Sequence, residues 1–201
     1  MALRRILKAG AFGVAVLLVS PLIVITSLEK VCRFGDGVFR TCGQGLALVP
    51  GPIGSFLRGA FYWTTLDACS WEVRLGFGSV FMHRGASVAA NVSTGLYCVL
   101  GHVTIGSGVM MASHVSIPSG KRQHLDAAGN ITSETRYEAV TVGSRTWIGE
   151  GAIILADVGA RCIVSAGAIV FDAMPDAVLI AGNPARAVKS LEQRSAPREI
   201  A

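Results

Sequence analysis

Four histidines, His83, His102, His114 and His124, are the side chains of this chain best suited to take a proton near neutral pH. His124 stands out by its company. It ends "IPSGKRQH" within residues 117–130, where Lys121, Arg122 and Gln123 precede it and can hold an oxygen-rich or anionic partner. An imidazole acting as base needs an acceptor on its far nitrogen, and Asp126, Glu134, Glu138 or a backbone carbonyl could serve. His114 occupies the fourth place of "MASHVS", a turn position, and is read either as a contact to a second reactant or as a residue supporting those that touch it. His83 and His102 are read as corner or surface histidines. His114 and His124 are ten positions apart with no His-x4-His pair, and the five cysteines form no CxxC, so no metal is expected. Without CxxC pairs the thiols are read as reduced, which favours a cytoplasmic setting.

The elements that must position these groups repeat every six residues. "IGSGVM" and "MASHVS" are led by Ile105 and Met111, and Ile117 opens the irregular segment. The beat returns as "VGSRTW", "IGEGAI" and the shortened "ILAD", led by Val142, Ile148 and Ile154. "VGARCI", "VSAGAI" and Val170 follow. Each hexad reads as one short strand plus a turn, three hexads close a triangular coil, and the leading side chains stack inside. Small second residues such as Gly106 and Ala112 suit the corners, while Cys98 and Cys162 fall in the inward fifth place and are read as core fillers. Trp147 reads as an aromatic packed on a sheet face. Residues 118–139 keep no beat and are read as a protruding loop.

The N-terminal part has another character. With 51% hydrophobic and 15% charged residues and a mean hydropathy of +0.53, the composition suggests membrane contact or a heavily buried β architecture. From Ala9 to Leu28 no residue is charged, a helical length of roughly 30 Å, about a bilayer's hydrocarbon core. Ser20-Pro21 is expected to bend or break that helix. Arg4, Arg5 and Lys8 precede it and Lys30, Arg33 and Arg40 follow, which suits an anionic membrane surface; with positive charge on both flanks the charge rule does not choose which end crosses, and both spanning and re-entry stay open. The segment is read as a retained anchor, because "VITSLEKVC" offers no Ala-x-Ala cleavage site. The net charge of +5 lacks the dense basic face and interleaved aromatics of a nucleic-acid groove, so no nucleic acid is expected. "VPGPIGSFLRGAFYWTTL" reads equally as a helix lying in the membrane interface or as one capping the soluble core.

With "TVGSRTWIGEGAIILADVG" and "AGNPARAVK", residues 75–189 resemble the left-handed parallel β-helix, hexapeptide-repeat acyltransferases, in their sugar and polysaccharide O-acetyltransferase branch. "LLVSPLIVI" resembles the helix-break-helix anchor of the monotopic phosphoglycosyl transferases. The first resemblance implies an all-β, left-handed parallel β-helix of hexapeptide repeats over residues 66–183. A membrane-associated helical segment, residues 1–65, precedes it, and a C-terminal helix and tail over 184–201 begin after Pro184. It implies a homotrimer with active sites between neighbouring coils and acetyl-CoA as donor. His124 is then the base, with His114, Lys121, Arg122 and Gln123 as acceptor contacts. The donor's arm would pass Gly149, Glu150 and Ala166, and its phosphates would meet Arg186 and Lys189. Amides of residues 165–168 are candidate oxyanion donors. Phe171-Asp172 departs from the Thr-Lys pair of close relatives and puts one phosphate contact in doubt. A lipid-linked sugar or polysaccharide precursor at the cytoplasmic face of the inner membrane is the acceptor that the anchor would explain. The rival is a non-enzymatic trimeric scaffold in a membrane glycan-assembly complex.

Overall fold

In the computed structural model, which describes residues 2–126 and 128–192, the hexads build the expected left-handed parallel β-helix. One face of the prism carries β1 (Ala68–Cys69), β3 (Ser87–Val88), β5 (Val103–Ile105) and β8 (Val140–Val142). A second carries β2 (Val80–Phe81), β4 (Val99–Leu100), β7 (Ser116–Ile117), β10 (Ile153–Ile154) and β12 (Ile169–Val170). The third carries β6 (Met110–Met111), β9 (Trp147–Ile148), β11 (Ile163–Val164), β13 (Val178–Gly182) and β14 (Ala185–Ser190). Strands stack in register, Leu100 over Phe81 and Ile117 over Leu100, so leading residues form internal columns. Ile105, Ile117, Val142, Ile148, Ile154, Val164 and Val170 are all buried, as are Cys98 and Cys162.

The second place of the hexad is small for a steric reason. A Cβ on Gly143 would lie 2.3 Å from the Ala160 amide nitrogen, and one on Gly149 would lie 2.5 Å from that of Ala166. The fourth place turns the corner in the left-handed region, at φ 59° for His114 and Arg145 and 58° for Arg161. That region costs an ordinary residue roughly 1–2 kcal/mol, so each such corner is held by the coils stacked on it.

Three helices cover the first coil: α1 (Ala2–Cys32), α2 (Gly37–Ala47) and α3 (Gly51–Thr65). Of the two readings of α3, the structure forms the cap, since Ala60, Phe61 and Tyr62 are buried and the Phe81 amide donates to the Tyr62 hydroxyl at 3.1 Å. Arg58 is 1% exposed and spans the seam, donating to the carbonyls of Leu46, Val49 and Leu75. The break expected at Ser20-Pro21 is not there; α1 stays helical through Pro21. The Ser20 hydroxyl donates to the Leu17 carbonyl at 2.8 Å, supplying the donor that proline lacks. One stripe of α1, Phe12, Ala15, Val19, Thr26 and Glu29, is buried against the cap. Glu29 accepts from the Val38 and Phe39 amides and thereby caps α2, and Arg84 closes the network at 2.6 Å to Glu29 and 2.8 Å to Asp36. Burial raises the Glu29 carboxyl, but those amides and Arg84 outweigh it and hold its pKa below the ordinary value.

At the other end the expected C-terminal helix is corrected over its described part. Ala185–Ser190 is strand β14, antiparallel to β13, turning back at Gly182 with φ 103°. Ala185 alone of these residues is buried, so the segment offers one inward side chain and no helical stripe. Residues 193–201 lie outside the described residues.

Candidate active site

Two edges of the prism carry the predicted site residues. The turns after β6, β9 and β11 place His114, Gly149, Glu150 and Ala166 together. His114 Nδ1 lies 3.5 Å from Glu150 Oε1, and its ring stacks on Tyr97 with centroids 5.6 Å apart. Buried Gly149 packs on Ala166 so closely that no side chain fits between them. Of the amides considered for an oxyanion, Ser165 donates to Ile180, Gly167 to Glu150 and Ala168 to Ser165. Those three are committed to the coil.

The turns after β2, β4, β7 and β12 form the other edge, where His83, His102, the loop and Asp172 stack. The loop is organised by its own polar groups. Asp126 accepts the Ala128 and Asn130 amides at 2.9 and 2.8 Å, and Leu125 bridges Ile131. The Asn130 bonds are the main cause that keeps the Asp126 carboxyl below its ordinary pKa. Asp126 is therefore occupied with the loop tip. His124 is tied through its carbonyl, which accepts from the Thr132 amide at 2.9 Å, while its side chain is exposed. Among the described residues no carboxylate pairs with that imidazole. Lys121 reaches the Phe171 carbonyl at 2.9 Å and Asp172 at 3.5 Å, and Arg186 meets the same carboxylate at 3.5 Å. Asp172 thus partly neutralises both cations. Arg122 and Lys189 are exposed.

Sequence reasoning passed over His83. It lines a cleft of about 230 Å³ with Gln123, Tyr137, Arg40, Ser116 and Pro118, and its ring centroid is 4.0 Å from that of Tyr137. Burial pushes the His83 pKa below its ordinary value against the pull of Asp36, leaving a neutral imidazole able to accept a proton at pH 7. A signal was present: His83 and His102 each stand two places after a leading residue, Phe81 and Leu100, just as Ser119 follows Ile117 at the loop's root. Among the described residues no group of three or more His, Cys, Asp or Glu is placed to hold a metal.

No protein-family model matches the chain. It is 34% identical over 97 residues to a putative lipopolysaccharide biosynthesis O-acetyl transferase, WbbJ, of Escherichia coli K12, covering 43% of this chain and 50% of that protein. It is 32% identical over 95 residues to the galactoside O-acetyltransferase of the same organism, covering 46% of each. The chain thus spans about half the length of the curated relatives it matches. Among solved structures, a maltose O-acetyltransferase from Clostridium difficile 630 superposes with a TM-score of 0.67 at 22% identity, over 77% of this chain and 86% of that one. That likeness is one of fold. With the hexad register, the three-sheet coil and the shared sequence in agreement, the chain has the left-handed parallel β-helix fold and is similar, over a little under half its length, to O-acetyltransferases.

Proposed function

We propose that the protein is an acetyl-CoA-dependent O-acetyltransferase, working as a homotrimer on a lipid-linked sugar or polysaccharide precursor at the cytoplasmic face of the inner membrane. One observation carries this reading: the departure from the hexad beat, residues 118–139, walls a polar cleft that a bare coil would lack. In the reaction an imidazole takes the acceptor's hydroxyl proton as the oxygen attacks the thioester carbonyl, and the CoA thiolate leaves. His124 projects from the loop on the edge that a second copy would close, and Gln123 beside it faces the cleft. Lys121 and Arg122 extend the acceptor side, while His114, Gly149, Glu150 and Ala166 form the donor's corner; Arg186, held with Lys121 on Asp172, and exposed Lys189 on β14 are the cations offered to the donor's phosphates. A second reading gives the proton to His83, favoured by its place inside the cleft.

The membrane part rests on α1. Phe12 lies 5.9 Å from Trp71 and Glu29 bonds Arg84, so both halves of the helix are tied to the first-coil region and the helix lies along the cap. Its outward stripe, Leu7, Val14, Leu17, Leu18, Val24, Ile25 and Leu28, is exposed and apolar. A helix so placed fits lying in the interface better than crossing the bilayer. The trimer is supported by Met110 and Trp147, cross-strand neighbours exposed on the outer face of the third sheet.

Release of CoA thiol from acetyl-CoA in the presence of a glycan acceptor tests the chemistry. His124→Ala is expected to lower turnover by about 10²–10⁴-fold with trimer and membrane association retained, and His83→Ala by far less. The reverse order moves the base to His83, and no loss in either variant supports the scaffold reading.

A further inference from the structure

We propose that the cavity between the α1–α2 turn and the first coils is a phosphate-binding site, serving the phosphate or diphosphate that carries the acceptor sugar. The inference rests on the transferase reading and names the chemical class of its acceptor. The cavity has a volume of about 470 Å³. Lys30, Arg33, Arg40 and Arg84 line it against one lining carboxylate, Asp36. That carboxylate is already engaged, since Arg84 holds Asp36 at 2.8 Å and Glu29 at 2.6 Å. Lys30 lies 3.6 Å from Asp67 with both side chains largely exposed, a pairing of small worth. Arg33 and Arg40 have no carboxylate partner among the described residues; Arg40 donates only to the Asp36 carbonyl, at 3.2 Å. Two guanidiniums facing one open cavity match the geometry of a phosphate better than that of any neutral ligand. The α2 N-terminus is not part of this site, because Glu29 already occupies its amides.

Position gives the site its meaning. Arg40, His83 and Tyr137 line this cavity and also the smaller cleft beside Gln123, so the two adjoin across those three side chains. A sugar in the smaller cleft would carry its anomeric phosphate into the larger one. The larger one also opens beside Lys30, where the outward apolar stripe of α1 runs out at Leu28 and Val31. A lipid tail leaving the phosphate would meet that stripe directly.

A bilayer phospholipid headgroup shares this chemistry, and the experiment has an arm for each source. Full-length protein in detergent micelles is titrated with inorganic pyrophosphate, and separately mixed with vesicles of phosphatidylcholine alone or with phosphatidylglycerol added. The wild-type protein should bind pyrophosphate saturably, R33Q several-fold more weakly, and R33Q/R40Q at least tenfold more weakly with an unchanged thermal melt. Binding confined to phosphatidylglycerol vesicles, and lost in the double variant, would assign the site to bilayer headgroups and overturn the acceptor role. Absence of both, or affinities untouched by the substitutions, overturns the site itself. Acetyl-CoA is titrated in parallel into the wild-type protein. If it binds and pyrophosphate does not, the site falls and the transferase reading stands; the opposite result sinks the transferase reading and leaves a phosphate site.

Discussion

His124 illustrates what a single residue can and cannot say about itself. Its neighbours in sequence, Lys121, Arg122 and Gln123, mark a segment unfit for the coil, yet the fold sends them to separate places. Gln123 faces the cleft, Lys121 turns to Asp172, and Arg122 is exposed. His83 shows the converse, because the column that sets it beside Tyr137 joins residues far apart in the chain. Inward positions were legible one by one, since a leading Ile or Val every sixth residue has nowhere to go but the axis. The small second places were legible as corners, although their strict cause, a coil of backbone immediately above, appears only in three dimensions. Gly143→Ala tests that cause. A methyl 2.3 Å from the Ala160 nitrogen forces the coils apart, at a cost of about 1–3 kcal/mol, so the melting temperature should drop by roughly 2–4 °C per kcal/mol. An unchanged melt would show that the coils separate freely.

At the scale of elements, the strands followed from the period and the helices did not. Both stripes of α1 are apolar, so its pattern cannot tell the face packed on the cap, Phe12, Ala15 and Val19, from the face left outside, Leu17, Leu18 and Val24. The break expected at Pro21 failed because Ser20 supplies the missing donor locally. The C-terminal helix expected after Pro184 failed because β13 offers an unpaired edge that "ARAVKS" completes. Glu29 and Arg84 were silent in the sequence, being 55 positions apart, and yet they join α1, α2 and the first coil. If the outward stripe meets lipid, Leu17→Ser with Leu18→Ser should weaken vesicle binding, read by flotation, about 10²–10⁴-fold, from roughly 1.5–3 kcal/mol lost for each leucine. The coil should be unaffected, since neither side chain packs on it. Equal flotation of variant and wild type would count against a lipid-facing α1.

For the whole molecule, the proposed assembly of three copies needs an outer face on which neighbours can meet. The outer face of β6 and β9 leaves Met110 and Trp147 side by side in the single chain, 51% and 42% exposed, as a patch suited to a second copy. Trp147→Glu should convert trimers to monomers in light scattering after gel filtration, and a trimer that survives would place the contact elsewhere. Everything chemical in the account depends on the donor. Titration of acetyl-CoA into the full-length protein in detergent is the most direct measurement. The account predicts saturable binding in a range on the order of 1 μM to 1 mM, with CoA thiol released once an acceptor glycan is added; absence of any acyl-CoA binding would contradict it.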